Sequence, residues 1–283
     1  MQYSITHNLE LALLVLFVGI VFGSFINAFV WRFRINSEVS ANKKDKDLSI
    51  LTGRSMCPKC RHILGPMDLI PIISWVFLRG KCRYCHQKIS LQYPLVEFIT
   101  GLISLIYYIE WATLSSLPSY IIFSLALFVL YGLIILVIYD IKWYILPTQV
   151  IYFLFLLGII YQVLSIKFGN HPSSLLQLIL GTIIGGGIFY ILYVISGGKW
   201  IGGGDVRLGF LLGFLLGSST NSLLLIFFAS LIGTMVSVLF IFLKKTTVKS
   251  LIPFGPFLIV SYIIIQLFGS TIILWAKNHY LII

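Results

Sequence analysis

Two aspartates lie at the edges of apolar segments, where a carboxylate is costly and therefore a functional candidate. Asp140 ends a long apolar run, and Asp205 follows the glycine-rich turn Gly202-Gly203-Gly204. Two carboxylates that share one proton can hydrolyse a peptide bond, because the ionised group takes a proton from water while the protonated group polarises the carbonyl. The pair therefore predicts aspartic-peptidase chemistry. In the structural alternative, Asp140 only ends a helix beside Lys142. Asp205 would then pair with Arg207 or cap the helix that follows.

All four cysteines lie in one segment, as two C-x2-C pairs separated by 21 residues. They are Cys57, Cys60, Cys82 and Cys85. This spacing is typical of a four-thiolate zinc site, in which each pair forms a tight turn that aims two sulfurs at one ion. Four sulfurs leave no open coordination position, so we predict a structural Zn²⁺. His62 or His86 could replace one thiolate, and free structural thiols or a redox pair are the non-metal alternatives.

The composition excludes a soluble globular enzyme, a disordered protein and a secreted disulfide scaffold. Only 10% of the 283 residues are charged, 59% are hydrophobic, and the mean hydropathy is +1.01. Soluble domains carry roughly 25% charged residues, well over the fraction in this chain. We therefore predict an all-α polytopic membrane protein whose helices must position the aspartates and the cysteines.

A helix needs about 20 apolar residues to cross a bilayer, and the apolar runs of this chain predict about eight transmembrane helices. They are 9–31, 93–111, 119–139, 148–166, 174–196, 206–217, 221–243 and 256–276. The sixth is the shortest, and it carries Gly209, Gly213 and Gly217 at a four-residue spacing that lets helices approach closely.

The basic residues predict the orientation of the chain in the membrane. Net charge is +11, and eight spans would place 18 of the 20 Lys and Arg residues on one side, 12 of them within 32–92. Basic residues accumulate on the cytoplasmic side. This predicts outer termini, with the cysteine segment and both aspartates at the cytoplasmic face. The predicted parts are a first transmembrane helix (1–31), a cytoplasmic zinc-binding loop domain (32–92) and a transmembrane peptidase core (93–283).

Several short motifs follow one another over nearly the whole chain. They are Gly23-Ser24-Phe25-Ile26-Asn27, the paired C-x2-C segment, Tyr93-Pro94-Leu95-Val96-Glu97, Asp140 with Leu146-Pro147, Gly202-Gly203-Gly204-Asp205, and Pro253-Phe254-Gly255-Pro256. In this order they resemble the type IV prepilin peptidases, or prepilin leader peptidase/N-methyltransferases, which are GxGD-type membrane aspartic proteases. The chain departs from the family pattern at Thr148, where the family often has Asp. It departs again at Arg207, where the family often has Lys.

The resemblance implies cleavage of the basic leader from prepilins or pseudopilins at the cytoplasmic face of the bacterial inner membrane. Many such enzymes also methylate the new N-terminus with S-adenosylmethionine. The resemblance implies that Asp140 and Asp205 are the catalytic pair and that the four cysteines are metal ligands. The expected partners are these precursors, membrane lipid and pilus or secretion assembly proteins, with no nucleic acid.

Glu97 is an acid near the start of a predicted span, and it has two interpretations. It could serve the methyl-transfer site, for which the sequence shows no nucleotide-binding motif, or it could form a hydrogen bond inside the helix bundle. For the whole chain, the competing functions are an ion-coupled transporter that uses its intramembrane acids and a membrane scaffold of a pilus or secretion machine.

Overall fold

Helices account for nearly all regular structure in the computed structural model, which describes residues 2–38, 49, 53–111, 116–168, 174–243 and 252–280. The long helices are α1 (Gln2–Glu38), α3 (Gln92–Glu110), α4 (Leu117–Trp143), α5 (Thr148–Phe168), α6 (Leu175–Ser196), α8 (Ser219–Phe242) and α9 (Gly255–Tyr280). The shorter ones are a 3₁₀ turn (Pro66–Leu69), α2 (Ile73–Phe77) and α7 (Gly203–Leu216). Within the described ranges there is no β-strand, only two isolated bridges beside the cysteine pairs.

Seven of the described helices are long and apolar enough to cross a membrane, namely α1, α3, α4, α5, α6, α8 and α9. The predicted polytopic helical fold is therefore confirmed. The sixth predicted span is α7, which has 14 residues. At 1.5 Å per residue it is about 21 Å long, less than the roughly 30 Å of a hydrocarbon core.

The chain divides into two compact units, and the first is Met1–Thr113. In this unit α1 and α3 pack against each other through small residues. A methyl group on Gly23 would lie 2.6 Å from the Cα atom of Glu97, so only glycine permits this approach. The Asn27 side-chain amide donates to the Tyr93 carbonyl at 3.1 Å, which fixes α1 at Asn27 against the start of α3.

The second unit, Leu114–Ile283, holds α4 to α9 around a core of fully buried leucines and isoleucines. Within it, α6 and α7 are in backbone contact along their glycines. A methyl group on Gly185 would lie 2.7 Å from the Cα atom of Gly213, and one on Gly209 would lie 2.5 Å from the Gly185 carbonyl oxygen. This confirms the close approach that the four-residue glycine spacing predicts.

Both ends of α6 and the C-terminal end of α7 have identifiable partners for their backbone groups. Ser174 caps α6 by accepting the Gln177 N–H at 3.3 Å, and Gly197 ends it with the positive φ of 58° that favours glycine. At the end of α7, the buried Gln162 side chain of α5 donates to the carbonyls of Phe214 and Leu215, at 2.8 and 2.9 Å. The last carbonyls of a helix lack intrahelical partners, so this amide satisfies two of them.

Candidate active site and metal site

Asp140 lies in the last turn of α4 and is only 6% exposed. Its Oδ2 atom accepts a hydrogen bond of 3.0 Å from the backbone N–H of Gly255, the first residue of α9. A methyl group on Gly255 would lie 2.6 Å from the same oxygen. Glycine is therefore required if the start of α9 is to approach the carboxylate this closely.

Asp205 lies in the first turn of α7, a helix that is not among the seven spans. Burial raises the pKa of Asp205 to about 6, and the negative charge of Asp140 contributes to the rise. The two carboxylates therefore interact electrostatically although 65 positions separate them in the chain. The neighbouring Gly202 keeps one side of the Asp205 carboxylate free of side-chain atoms, since a methyl group there would lie 3.5 Å from Oδ2.

Leu146 packs between the helix starts that carry these contacts. A methyl group on Gly204 would lie 3.1 Å from the Leu146 Cβ atom, and one on Gly255 would lie 3.5 Å from Leu146 Cδ1. Leu146 is itself buried. The side chain of Leu146 thus separates the first turn of α7, which carries Asp205, from the first turn of α9, which contacts Asp140.

The cations near the aspartates have other partners. Arg207 donates through Nη1 to Thr148 Oγ1 at 2.5 Å and through Nε to the Gly203 carbonyl at 3.0 Å. Lys142 lies over the Trp143 ring, with Nζ 5.4 Å from the ring centroid. The two positions at which the chain departs from the family pattern, Thr148 and Arg207, are therefore in direct contact.

The four cysteines meet at one point of the first unit. Their sulfur atoms all lie within 4.8 Å of one another, and the Cys57 and Cys85 sulfurs are 3.9 Å apart. Tetrahedral ligands at a Zn–S distance of about 2.3 Å stand roughly 3.8 Å apart, so the donor set fits one such ion. His62 packs its ring on Tyr84, with centroids 3.6 Å apart, and neither His62 nor His86 belongs to the group.

Both cysteine pairs have the same backbone conformation. The Cys57 N–H donates to the His62 carbonyl at 3.0 Å, and the Cys82 N–H donates to the Gln87 carbonyl at 2.9 Å. Each turn contains one residue with positive φ, Arg61 and His86 respectively, both at 55°. The sequence spacing alone predicts two tight turns, and the hydrogen bonds explain how each aims its sulfurs.

The thiols differ in how readily they ionise. Burial opposes the ionisation of Cys57, but the backbone amides of Cys60 and Lys59 outweigh it and lower the pKa of its thiol to about 7. At Cys85 the Gln87 amide favours the thiolate, yet burial and the other cysteines raise its pKa to about 11. A bound cation would offset the unfavourable effect of the neighbouring cysteines on the ionisation of Cys85, because metal ligation stabilises several thiolates together.

Glu97 belongs to the first unit and is 7% exposed. Its Oε2 atom accepts the Ile72 N–H at 2.6 Å, and its carboxylate also interacts with the Ser24 side chain. Of the two interpretations of the sequence, the hydrogen-bonding one has two partners in the structure, Ser24 on α1 and the Ile72 N–H in the cysteine segment. Sequence reasoning gave no role to Ile72 or Gly255. The only signal for Gly255 was its place in Pro253-Phe254-Gly255-Pro256.

Comparison with known proteins finds two family models along the chain. The bacterial peptidase A24 N-terminal domain matches residues 17–111, and the type IV leader peptidase family matches residues 127–238. Proteins named prepilin leader peptidase/N-methyltransferase are similar over most of their length. The Pectobacterium carotovorum protein is 32% identical over 256 residues, covering 85% of this chain and 87% of that protein.

Two further relatives carry the same name. The Aeromonas salmonicida protein is 28% identical over 284 residues, covering 93% of this chain and 92% of its own. The Bacillus subtilis protein is 31% identical over 228 residues, covering 80% of this chain and 86% of its own. No solved structure matches the chain significantly.

Proposed function

The chain belongs to the type IV leader peptidase family, and from this premise we propose that Asp140 and Asp205 together hydrolyse the bond between a prepilin leader and the helix that follows it. Family membership and the names of the relatives support leader cleavage followed by N-methylation of the new N-terminus. The chain is a multi-pass inner-membrane peptidase, and its substrates are prepilins.

One observation carries the assignment of the aspartates: Leu146 packs against Gly204, which precedes Asp205, and against Gly255, whose N–H donates to Asp140. At this shared position, burial and the charge of Asp140 raise the pKa of Asp205 to about 6. The pair therefore retains a proton up to about pH 6, well above the ordinary range of a carboxyl group, and two-aspartate hydrolysis requires such a proton. The Gly255 N–H stabilises negative charge on the Asp140 oxygen. Asp140 then acts as the base that takes a proton from water, and Asp205 as the acid that polarises the scissile carbonyl.

Proton transfers complete the hydrolysis. Water attacks the carbonyl carbon as its proton moves to Asp140, which gives a tetrahedral intermediate whose oxygen is hydrogen-bonded by Asp205. The C–N bond then breaks, and the proton on Asp140 passes to the leaving amine. The tetrahedral intermediate thereby collapses to a carbonyl, which is now part of the new carboxyl group at the end of the leader, and Asp205 is left in its protonated starting state.

We place this site at the cytoplasmic face of the membrane. The support is the sequence distribution of Lys and Arg, together with the path of the chain in the second unit. From the end of α4, the spans α5 and α6 carry the chain across and back, so Asp140 and the start of α7 fall on one side. The predicted parts 1–31, 32–92 and 93–283 stay a prediction.

We propose Zn²⁺ as the ion of the four-cysteine site, with a structural role. The support is the sulfur-only donor set and the sulfur separations, which suit a closed tetrahedral site. When bound, the ion would hold the two cysteine turns together.

We propose S-adenosylmethionine as the methyl donor, from the N-methyltransferase names of the relatives. Glu97 stays a candidate for that site, and its carboxylate already has two partners.

The test is cleavage of a purified prepilin by the full-length protein and by the Asp140→Asn and Asp205→Asn variants, followed by mass spectrometry. We expect both variants to insert and purify normally and to leave the leader in place. Glu110→Gln, the same acid-to-amide change at the exposed end of α3, should process like the wild type. Full processing by either aspartate variant would overturn the proposal. Leader loss and a one-methyl gain are separate masses, so the two activities are read independently.

A further inference from the structure

The segment that carries the cysteines exposes a run of large apolar side chains outside the seven spans. It runs from the 3₁₀ turn through the residues that follow to α2, and its most exposed members are Phe77 at 81% and Met67 at 74%. We call it the apolar patch, and it consists of Met67, Ile70, Ile73, Val76 and Phe77. Contiguous exposed apolar surface of this kind marks an interaction site.

The start of α2 is attached to the first turns of α3, one of the helices that are long and apolar enough to cross a membrane. Glu97 lies five residues after the first residue of α3, so at 1.5 Å per residue it is about 7.5 Å along that span. Its carboxylate accepts the N–H of Ile72, the residue immediately before α2, at 2.6 Å. This hydrogen bond ties the start of α2 to the early turns of a transmembrane helix rather than leaving it out in solvent.

The hydrogen bond between Ile72 and Glu97 holds the backbone of Ile72 in a strained conformation. Ile72 has φ 62° and ψ −53°, and the Ile73 N–H donates to the Pro71 carbonyl at 2.5 Å, which is a γ-turn with positive φ. Such a turn is rare, and it is strained for a β-branched residue. A buried carboxylate that accepts the amide inside this turn explains how it persists.

The other side of α2 is attached to the second cysteine turn. The Trp75 indole N–H donates to the Ile89 carbonyl at 3.3 Å, and a methyl group on Gly80 would lie 2.9 Å from the Trp75 ring. Trp75 therefore packs inward, against the cysteine turn. The side chains of Val76 and Phe77 are left on the exposed side of the helix.

The charge around the patch is strongly positive. Between residues 53 and 91 there are seven Lys and Arg residues and one acid, Asp68. That acid is bound to Arg83 at 2.7 Å. Apolar side chains bordered by cations are the pattern of surfaces that insert into the headgroup region of anionic membranes. A basic leader peptide would instead be repelled by the same charge.

We propose that the apolar patch docks into the surface of the surrounding bilayer, where anionic phospholipid is enriched around it by the neighbouring Lys and Arg side chains. Phe77 and Met67 enter the boundary between headgroups and acyl chains, and the lipid phosphates lie beside the cations. The proposal does not rest on the two aspartates, and its test does not depend on catalysis.

The first experiment places a photoreactive diazirine amino acid at position 77 of the full-length protein in nanodiscs of equal parts phosphatidylglycerol and phosphatidylcholine. After irradiation, mass spectrometry identifies what position 77 has bonded to. We expect lipid adducts, with phosphatidylglycerol exceeding phosphatidylcholine by about twofold or more. The exposed polar residue Gln87, on the second cysteine turn, is the matched control site and should give few lipid adducts.

Two other crosslinking results would overturn the proposal. Adducts to residues 114–283 would mean that this chain itself covers the patch, and adducts to an added prepilin would mean that substrate docks there. The triple variant Arg79→Gln, Lys81→Gln, Lys88→Gln tests the cations. It should bring the lipid ratio close to one while lipid adducts persist, and an unchanged ratio would contradict the role given to charge.

A second measurement uses the unmodified chain, in case the labelled protein folds poorly. Hydrogen–deuterium exchange of peptides that cover 67–80 is compared in nanodiscs of pure phosphatidylcholine and in the mixed nanodiscs. We expect several-fold slower exchange in the mixed discs, because deeper docking shields the amides of α2. Equal exchange in both lipids would overturn the proposal.

Discussion

The contact between Gly255 and Asp140 gives a prediction whose size follows from the geometry. In Gly255→Ala the new methyl group would lie 2.6 Å from the Asp140 Oδ2 atom and 3.4 Å from its Cγ atom. Ordinary contacts of a Cβ atom begin at 3.4 Å, so the carboxylate or the start of α9 must move by about 0.8 Å. That movement also lengthens the 3.0 Å hydrogen bond from the Gly255 N–H.

A misplacement approaching 1 Å in a catalytic group can cost about 100-fold in rate. We therefore expect Gly255→Ala to lower kcat for leader cleavage about 10- to 100-fold, or about 1.4 to 2.8 kcal/mol in the barrier, with KM little changed. The assay is the time course of leader cleavage in proteoliposomes across substrate concentrations. Gly255 does not have a positive φ, so alanine is sterically allowed there apart from this contact.

Two matched variants separate a displaced carboxylate from a damaged fold. Gly187→Ala lies within α6, where the nearest side-chain atom would be 3.7 Å away, and it should keep wild-type activity and Tm. Gly185→Ala meets the Gly213 backbone at 2.7 Å and should lower Tm. If Gly255→Ala cleaves at the wild-type rate while Asp140→Asn is inactive, the position of the Asp140 oxygen does not limit the reaction and the reasoning is refuted.

Three further outcomes are expected. Because the pKa of Asp205 is raised to about 6, the proton of the pair is present below that pH and lost above it. We therefore expect kcat/KM for cleavage to fall as the pH rises through about 6. A flat profile from about pH 5 to 8 would contradict this. Elemental analysis of the purified protein should find about one Zn²⁺ per chain. The Cys82→Ser variant should lose the ion, and the His62→Ala variant should retain it. A metal-free wild-type protein would contradict the zinc proposal. Gln162→Leu leaves the buried Leu215 carbonyl and the partly buried Phe214 carbonyl of α7 unsatisfied, and a buried group left so costs about 1 to 3 kcal/mol. Its Tm should therefore drop clearly more than that of the exposed Gln177→Leu, and equal Tm values would refute the capping role.

Local chemistry explains why some of the site could be predicted from the sequence. A C-x2-C pair aims two sulfurs at one point through a turn of a few residues, so the spacing of Cys57 and Cys60 carries most of the geometry. The membrane spans are likewise local, because hydropathy over about 20 residues decides them. Helix ends were less well predicted: α4 runs on to Trp143, so Asp140 lies inside its last turn rather than after the helix.

Contacts between distant segments could not be predicted in the same way. The hydrogen bond from Gly255 to Asp140 joins residues 115 positions apart, and only the packing of α9 against α4 creates it. The strained Ile72 turn has no sequence signal, since a β-branched residue disfavours positive φ and a distant carboxylate, Glu97, imposes it. That Asp140 and Asp205 form the catalytic pair stays a prediction until the variants are assayed.

The backbone contact between α6 and α7 limits how the site can adapt to different precursors. Because Gly185 meets both Gly209 and Gly213 with no side chain between, α7 cannot rotate about its axis without a clash. The direction of the Asp205 side chain is thereby fixed before any precursor arrives. Variation in the residues that flank the scissile bond must therefore be accommodated by movement outside α7, such as in the turn at Gly202.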